Sequence, residues 1–184
     1  MADEVLLTGD ALRPEEVVAV AEKRTAVRLG PGVAARMAPA RRLVEEAVRE
    51  GRVVYGVTTG FGALANTRID PKQADQAQLA LLRSHAAAVG SPLPDRLVRA
   101  MLLLRARTLA QGHSGVRVEI VERLLDLLRL DLLPVVPAQG SVGASGDLAP
   151  FAHLSLPLVG EGWLRSRGVV RPAAEVLAAH GLAP

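Results

Sequence analysis

The stretch "GSVGASGDLAP", Gly140 to Pro150, sets three glycines, two serines and one acid between two apolar segments, "LLPVVPAQ" and "FAHLSLPLVGEG". Glycine enters left-handed backbone freely and lets other main chain approach closely. Glycines at 140, 143 and 146 therefore permit a tight, strained loop. Three kinds of chemistry suit it. A helix N-terminus would take Ser145 or Asp147 as its cap and Pro150 in its first turn. A cradle of backbone N–H groups would bind an anion, although neither a Walker lysine nor the GxGxxG spacing is present. Reaction of the main chain itself is the third.

Two other places carry reactive side chains. Tyr55, in "YGVTTGFG", is the only tyrosine; it reads as an amphipathic residue closing a turn or as an acid–base group. His85, in "LLRSHAAAVGSPLP", sits near a helix end, where a histidine serves as a hydrogen-bonded structural residue or as a ligand contact. Of the remaining histidines, His113 belongs to the turn "GHSG", His153 to packing or support behind the glycine loop, and His180 to a frayed tail. Nothing resembles HExxH or another zinc spacing, so no metal site is expected. No Ser-His-Asp triad is suggested either.

The elements that must hold these residues are mainly helical. Pro14 with Glu15 and Glu16 starts a helix, and "GPG" at 30–32 breaks the chain. A second helix runs from Val33 to Glu50, with Met37, Leu43, Val44 and Val48 at helical spacing and Gly51 ending it. Pro71 starts a helix reaching about Val89, and Asp95 caps another through Ala110. Ser114 caps one through Leu130 that is apolar on most of its circumference, which implies burial. A further helix spans about Asp147 to Val159, and "RPAAEVLAAHGLAP" begins one more. Strand signals are confined to "EVLL" and "RVVY", the latter opening into the Tyr55 loop.

Composition narrows the class. A chain of 184 residues suffices for a single domain spanning 1–184 with a real core. No apolar run is long enough to span a membrane, and the start lacks the pattern of a secretory signal. The absence of cysteine excludes disulfides and thiolate metal sites, and together these favour a cytoplasmic protein. Net charge is +3 with scattered arginines and four aromatics, which argues against a nucleic-acid surface. A hydrophobic content of 49% implies surface that something else covers.

"GSVGASGDLAPFAHL" resembles the signature of the aromatic amino acid ammonia-lyases and aminomutases. In that family an Ala-Ser-Gly triplet, here Ala144, Ser145 and Gly146, becomes 4-methylidene-imidazol-5-one. The amide nitrogen of Gly146 must attack the carbonyl carbon of Ala144, and a side chain at 146 would obstruct it. Ser145 loses its hydroxyl as water, leaving an exocyclic methylene, and stored backbone strain favours the closure. Asp147 matches the family acid that assists cyclisation. The resemblance implies an amino acid substrate whose amine adds to that methylene, covalent catalysis without an external cofactor.

"YGVTTGFG" is similar to the family's mobile inner loop, which implies that Tyr55 takes the β-proton. Since an ordinary phenol titrates near about 10, its surroundings would have to poise it. The Ser84-His85 pair is similar to that of the histidine-acting members and implies that His85 holds the substrate ring. Elimination of ammonia from L-histidine to trans-urocanate follows, with tyrosine 2,3-aminomutase chemistry as the alternative and an inert helical module with unmodified triplet as the non-catalytic one. Two residues depart from the histidine-acting pattern: Thr58 replaces an asparagine, and Phe151 a leucine.

The implied fold is the N-terminal active-site domain of the L-aspartase-like helical fold, without its long central bundle. Members run several hundred residues further and form homotetramers with shared active sites. This chain is therefore expected to be an N-terminal portion, weak or inert by itself.

Overall fold

The computed structural model describes residues 4–23, 25–62, 65, 67, 69, 74–144 and 146–184. The helix expected at Pro14 is α1 (Pro14–Ala21). Proline sits in its first turn, and the Arg13 N–H donates to Glu16 Oε2 at 2.7 Å. α2 (Val33–Arg49) closes with paired bonds, Gly51 N–H to the Val48 carbonyl and Arg52 N–H to that of Ala47. This is a Schellman ending, with glycine just past the last turn. Val33, Met37 and Ala47 form its inner face, whereas Leu43 and Val48, expected there, are exposed.

The core is organised around α4 (Asp95–Ala110). Its buried residues Val98, Leu102, Leu103, Ala106, Leu109 and Ala110 follow helical spacing. α5 (Val118–Arg129) packs along it through Val121, Leu124, Leu125, Leu127 and Leu128, and α1 covers it from another side. Each fully buried leucine contributes about 1.5–3 kcal/mol. The burial expected for α5 is found, apart from a polar stripe at Glu119, Glu122 and Arg129. This helix starts at Val118, not behind a Ser114 cap. A Cβ at Gly115 would lie 2.5 Å from Val44 Cγ2, so the chain must first pass tightly over α2. α4 is likewise preceded by Pro94 rather than capped by Asp95, whose carboxylate pairs with Arg165.

Short strands join the helices. β1 (Glu4–Leu7), the expected "EVLL", pairs in parallel with β2 (Ala26–Leu29). β3 (Val89–Pro92) pairs antiparallel with β5 (Pro137–Gln139), and β4 (Leu133–Pro134), β6 (Trp163–Ser166) and β7 (Val169–Pro172) form a second antiparallel sheet. "RVVY" is no strand. The Val57 and Thr58 N–H groups both donate to the Val54 carbonyl, at 3.0 and 2.9 Å, and curl the segment into a turn. α3 (Ala74–His85) stops short of Val89, which is used in β3; the expected start at Pro71 lies outside the described residues. α6 (Leu148–Ser155) continues as a 3₁₀ turn to Val159, matching the expected 147–159 helix. α7 (Ala173–Ala179) buries Ala173, Val176 and Leu177, and His180 Nδ1 lies 2.8 Å from the Val176 carbonyl. The tail is docked rather than frayed.

One buried charge joins three of these helices. Arg99, 6% exposed, donates from Nε to the Val20 carbonyl at 3.1 Å and from Nη1 to Leu128 at 3.2 Å and to Asp131 Oδ1 at 3.0 Å. It thereby adds a side-chain donor to carbonyls at the C-termini of α1 and α5, which also accept the N–H groups of Lys23 and Asp131 at 3.2 and 3.3 Å. Removing Arg99 takes a donor from buried carbonyls, while Asp131, 36% exposed, keeps its ion pair with Lys23. Arg99→Leu is expected to lower stability by about 1–3 kcal/mol in urea denaturation.

Candidate active site

The glycine loop leaves β5 and enters α6. Val142 and Gly146 form an isolated antiparallel bridge, so the chain reverses within the intervening residues. Gly143 and Gly146 both hold φ of +73°, and Ala144 lies exposed between them. Ser145 lies outside the described residues. Left-handed backbone thus stands on either side of Ala144, at Gly143 and Gly146, with open space around Gly143. Asp147 occupies the N-cap position of α6, and its carbonyl accepts from Phe151 N–H at 3.0 Å. Its carboxylate makes no capping hydrogen bond, which corrects the reading of Asp147 as a side-chain cap.

His85 ends α3. Its Nδ1 lies 2.9 Å from the Leu81 carbonyl and 3.1 Å from Ser84 Oγ, and that hydroxyl donates to the same carbonyl at 2.8 Å. A carbonyl only accepts, so Nδ1 carries the ring proton in the neutral imidazole, leaving Nε2 as an acceptor.

The structure brings together the residues just after His85 and those that lead into the glycine loop. Val89 stands opposite Gln139 and Pro92 opposite Pro137. Gly140 is where the two chains touch: a Cβ there would lie 2.6 Å from Ala88 Cβ and 3.2 Å from Ala88 Cα. α6 packs on α3 behind this junction. From α6, the imidazole of His153 is partly buried. Burial pushes its pKa below the ordinary 6.5, with the Ala88 carbonyl acting in the opposite direction. His153 supports the junction from behind, as its sequence position suggested.

Tyr55 stands on a separate loop, 63% exposed. Its ring meets Phe61 edge-on at 5.8 Å, and its oxygen accepts from Gly62 N–H at 3.5 Å, both within its own loop. Thr58, the departure from the histidine-acting pattern, is 8% exposed. Its hydroxyl accepts from Val54 N–H at 2.8 Å and donates to the Arg52 carbonyl, so it serves the loop's own shape. The other departure, Phe151, lies against the Arg105 guanidinium at 5.2 Å and pins α6 to α4.

Among the described residues, the site is an open surface. Val142 is 80% exposed, and Val53, Val89 and Leu148 around the three segments are exposed too. A cleft of about 240 Å³ between α2 and the start of α5, and one of about 380 Å³ beside Arg99, contain none of Tyr55, His85, Ala144 or Gly146. No group of described residues is arranged to hold a metal ion, and no described helix is long and apolar enough to cross a membrane. Residues that sequence reasoning missed are Ala88 and Gln139 at the junction, and Arg83 with Glu161, whose ion pair ties the end of α3 to the turn after α6. Small residues at 88 and 140 are the only sequence signal of that contact.

A mainly helical frame that runs the chain after a helix-terminal histidine alongside the chain entering a glycine-rich loop defines a chain of the ammonia-lyase and aminomutase fold. Residues 12–184 match the family described as aromatic amino acid lyase, and the chain belongs to it. It is 53% identical over 173 residues to a histidine ammonia-lyase of Deinococcus radiodurans, covering 94% of this chain and 33% of that protein. The solved histidine ammonia-lyase of Trypanosoma cruzi superposes with a TM-score of 0.87 at 37% identity, over 98% of this chain and 35% of that one. A tyrosine aminomutase from Streptomyces globisporus gives 0.90 at 36%, over 98% and 34%. The chain thus spans about a third of the length of the proteins it matches.

Two outcomes follow. Gly140→Ala should separate β3 from β5 and cost about 1–3 kcal/mol, and adding Ala88→Gly should recover part of it, both read by chemical denaturation. The unfolded chain takes up a proton near pH 6.5 that buried His153 resists. Its contribution is thus full above that pH and falls as pH drops below it. His153→Gln should flatten that slope in stability measured between pH 5 and 7.5.

Proposed function

We propose that this chain carries the ring-forming loop and part of the substrate pocket of a histidine ammonia-lyase, which eliminates ammonia from L-histidine to give trans-urocanate. The observation that supports this reading is the antiparallel junction that runs the chain leaving the Ser84-His85 helix end alongside the chain entering the glycine loop. The similarity to histidine ammonia-lyases supports the choice of substrate.

The left-handed backbone at Gly143 and Gly146 and the exposed Ala144 fit a 4-methylidene-imidazol-5-one built from Ala144, Ser145 and Gly146. That group supplies an electrophilic methylene for the substrate amine, which no unmodified side chain offers. Asp147, with its carboxylate free of capping duty, assists the closure. His85, its Nδ1 proton committed to Leu81, presents Nε2 to an N–H of the substrate imidazole and fixes the ring. Tyr55, on its exposed loop, takes the β-proton. The openness of all three segments supports walls supplied from elsewhere, as in a cytoplasmic homotetramer with shared sites. By itself this chain would be weak or inert.

Mass and turnover of the protein at its full natural length test this. Ring formation removes two waters, about 36 Da, and adds a near-ultraviolet chromophore. Ser145→Ala should abolish both and lower histidine turnover by about a thousandfold or more. His85→Ala should keep the chromophore and raise KM for histidine by about 10–100-fold. An unmodified mass would favour the inert module. Conversion of tyrosine to β-tyrosine, with histidine untouched, would favour an aminomutase.

A further inference from the structure

We infer that the Arg83–Glu161 ion pair is a positioning clamp for the recognition histidine, an inference that rests on the substrate-binding role proposed above for His85. The two residues lie 78 positions apart. Arg83 Nε donates to Glu161 Oε1 at 3.1 Å and to Oε2 at 3.0 Å, and Nη2 donates to Oε1 as well. A forked guanidinium contact fixes orientation as well as distance, which a lysine cannot do. Each partner strengthens the charged form of the other: the hydrogen bond from Arg83 lowers the pKa of Glu161, and Glu161 raises that of Arg83.

Exposed ion pairs usually contribute little to stability, and this one is expected to follow that rule. Its importance comes from what it holds. No residue of α3 is buried, so the helix has no apolar anchor of its own in the core. The neighbouring strand β3 is exposed along its whole length. At the same time the His85 ring is fixed to α3, through Nδ1 and the Leu81 carbonyl. Any rocking of the helix end therefore moves Nε2 as a rigid attachment. Arg83 is two residues before His85, and Glu161 follows the left-handed Gly160 that ends the α6 and 3₁₀ unit. The Glu161 N–H is itself fixed to the Leu156 carbonyl at 3.0 Å. The clamp thus ties the end of α3 to the same unit whose other end leaves the ring-forming loop. Distance between recognition group and electrophile is set through that unit. Small misplacements of a binding group cost far more in reaction than in folding.

The test uses Arg83→Glu, Glu161→Arg, their combination and Arg83→Lys in the protein at its full natural length. Steady-state kinetics with histidine are read beside hydrogen exchange of residues 82–90 and thermal unfolding. Each single reversal should raise KM about tenfold with kcat within about twofold, speed exchange at 82–90, and leave the unfolding temperature nearly unchanged. The swapped pair should recover most of the loss, and Arg83→Lys should fall between. Wild-type KM and exchange in both single reversals would overturn the inference, as would a loss that the swapped pair does not relieve. Should the unaltered protein fail to turn over histidine, the proposed substrate falls, while exchange at 82–90 still decides whether the clamp exists.

Discussion

The contact on which the site depends is the approach of Gly140 to Ala88. Next to the short strands β3 and β5, only the Ala88 methyl stands between the two chains at this closest point. That single steric allowance lets the chain leaving the α3 terminus run alongside the chain entering the glycine loop. In the proposed function, substrate recognition and electrophile formation fall on opposite sides of this one backbone junction. Around it, α6 acts as the common support, bearing on α3, taking up the end of the loop, and pinned to the central helix through Phe151 and Arg105.

The frame and the site are built by different physics. Frame elements α1, α4 and α5 are fixed by buried leucines and valines and by Arg99, a buried charge on α4 bonded to the other two. The site elements bury little: α3, β3, the Tyr55 loop and the glycine loop are held by main-chain pairing, short side-chain bonds and one exposed ion pair. Such regions sit at the less stable end of a structure, which suits the backbone reaction proposed for the glycine loop. The two departures from the histidine-acting pattern belong to this supporting work. Thr58 turns inward to fasten its loop, and Phe151 faces the arginine of the central helix, so neither alters a group proposed to touch substrate.

Much of the frame was legible from pattern alone. Proline and acids at 14–16 and the leucines of 118–130 each name their helix because local propensity and burial agree there. The periodicity of 33–50 names a helix but misplaces part of its inner face, since Leu43 and Val48 are exposed. Failures came where a distant partner decided. "RVVY" has strand-like residues, yet the hydroxyl of Thr58 curls it. Val89 could extend a helix, but Gln139 recruits it into a strand. Ser114 looks like a cap, but tight passage over Val44 delays the helix to Val118. The glycine loop was legible for a different reason: closing a ring from main chain restricts residue types so narrowly that their order is itself informative. Long-range pairs such as Arg83 with Glu161 leave no trace in a single sequence, since ordinary surface charges look the same.

The central claim is geometric: recognition at His85 and reaction at the 144–146 turn occupy one site. A crystal structure of the protein at full natural length, with an unreactive histidine analogue bound, tests it most directly. The account predicts the analogue's ring nitrogen at about 2.7–3.2 Å from His85 Nε2, with its amine facing the cyclised residue 145. An analogue bound with its ring away from His85, or an open Ala-Ser-Gly backbone in an enzyme that turns over histidine, would contradict it.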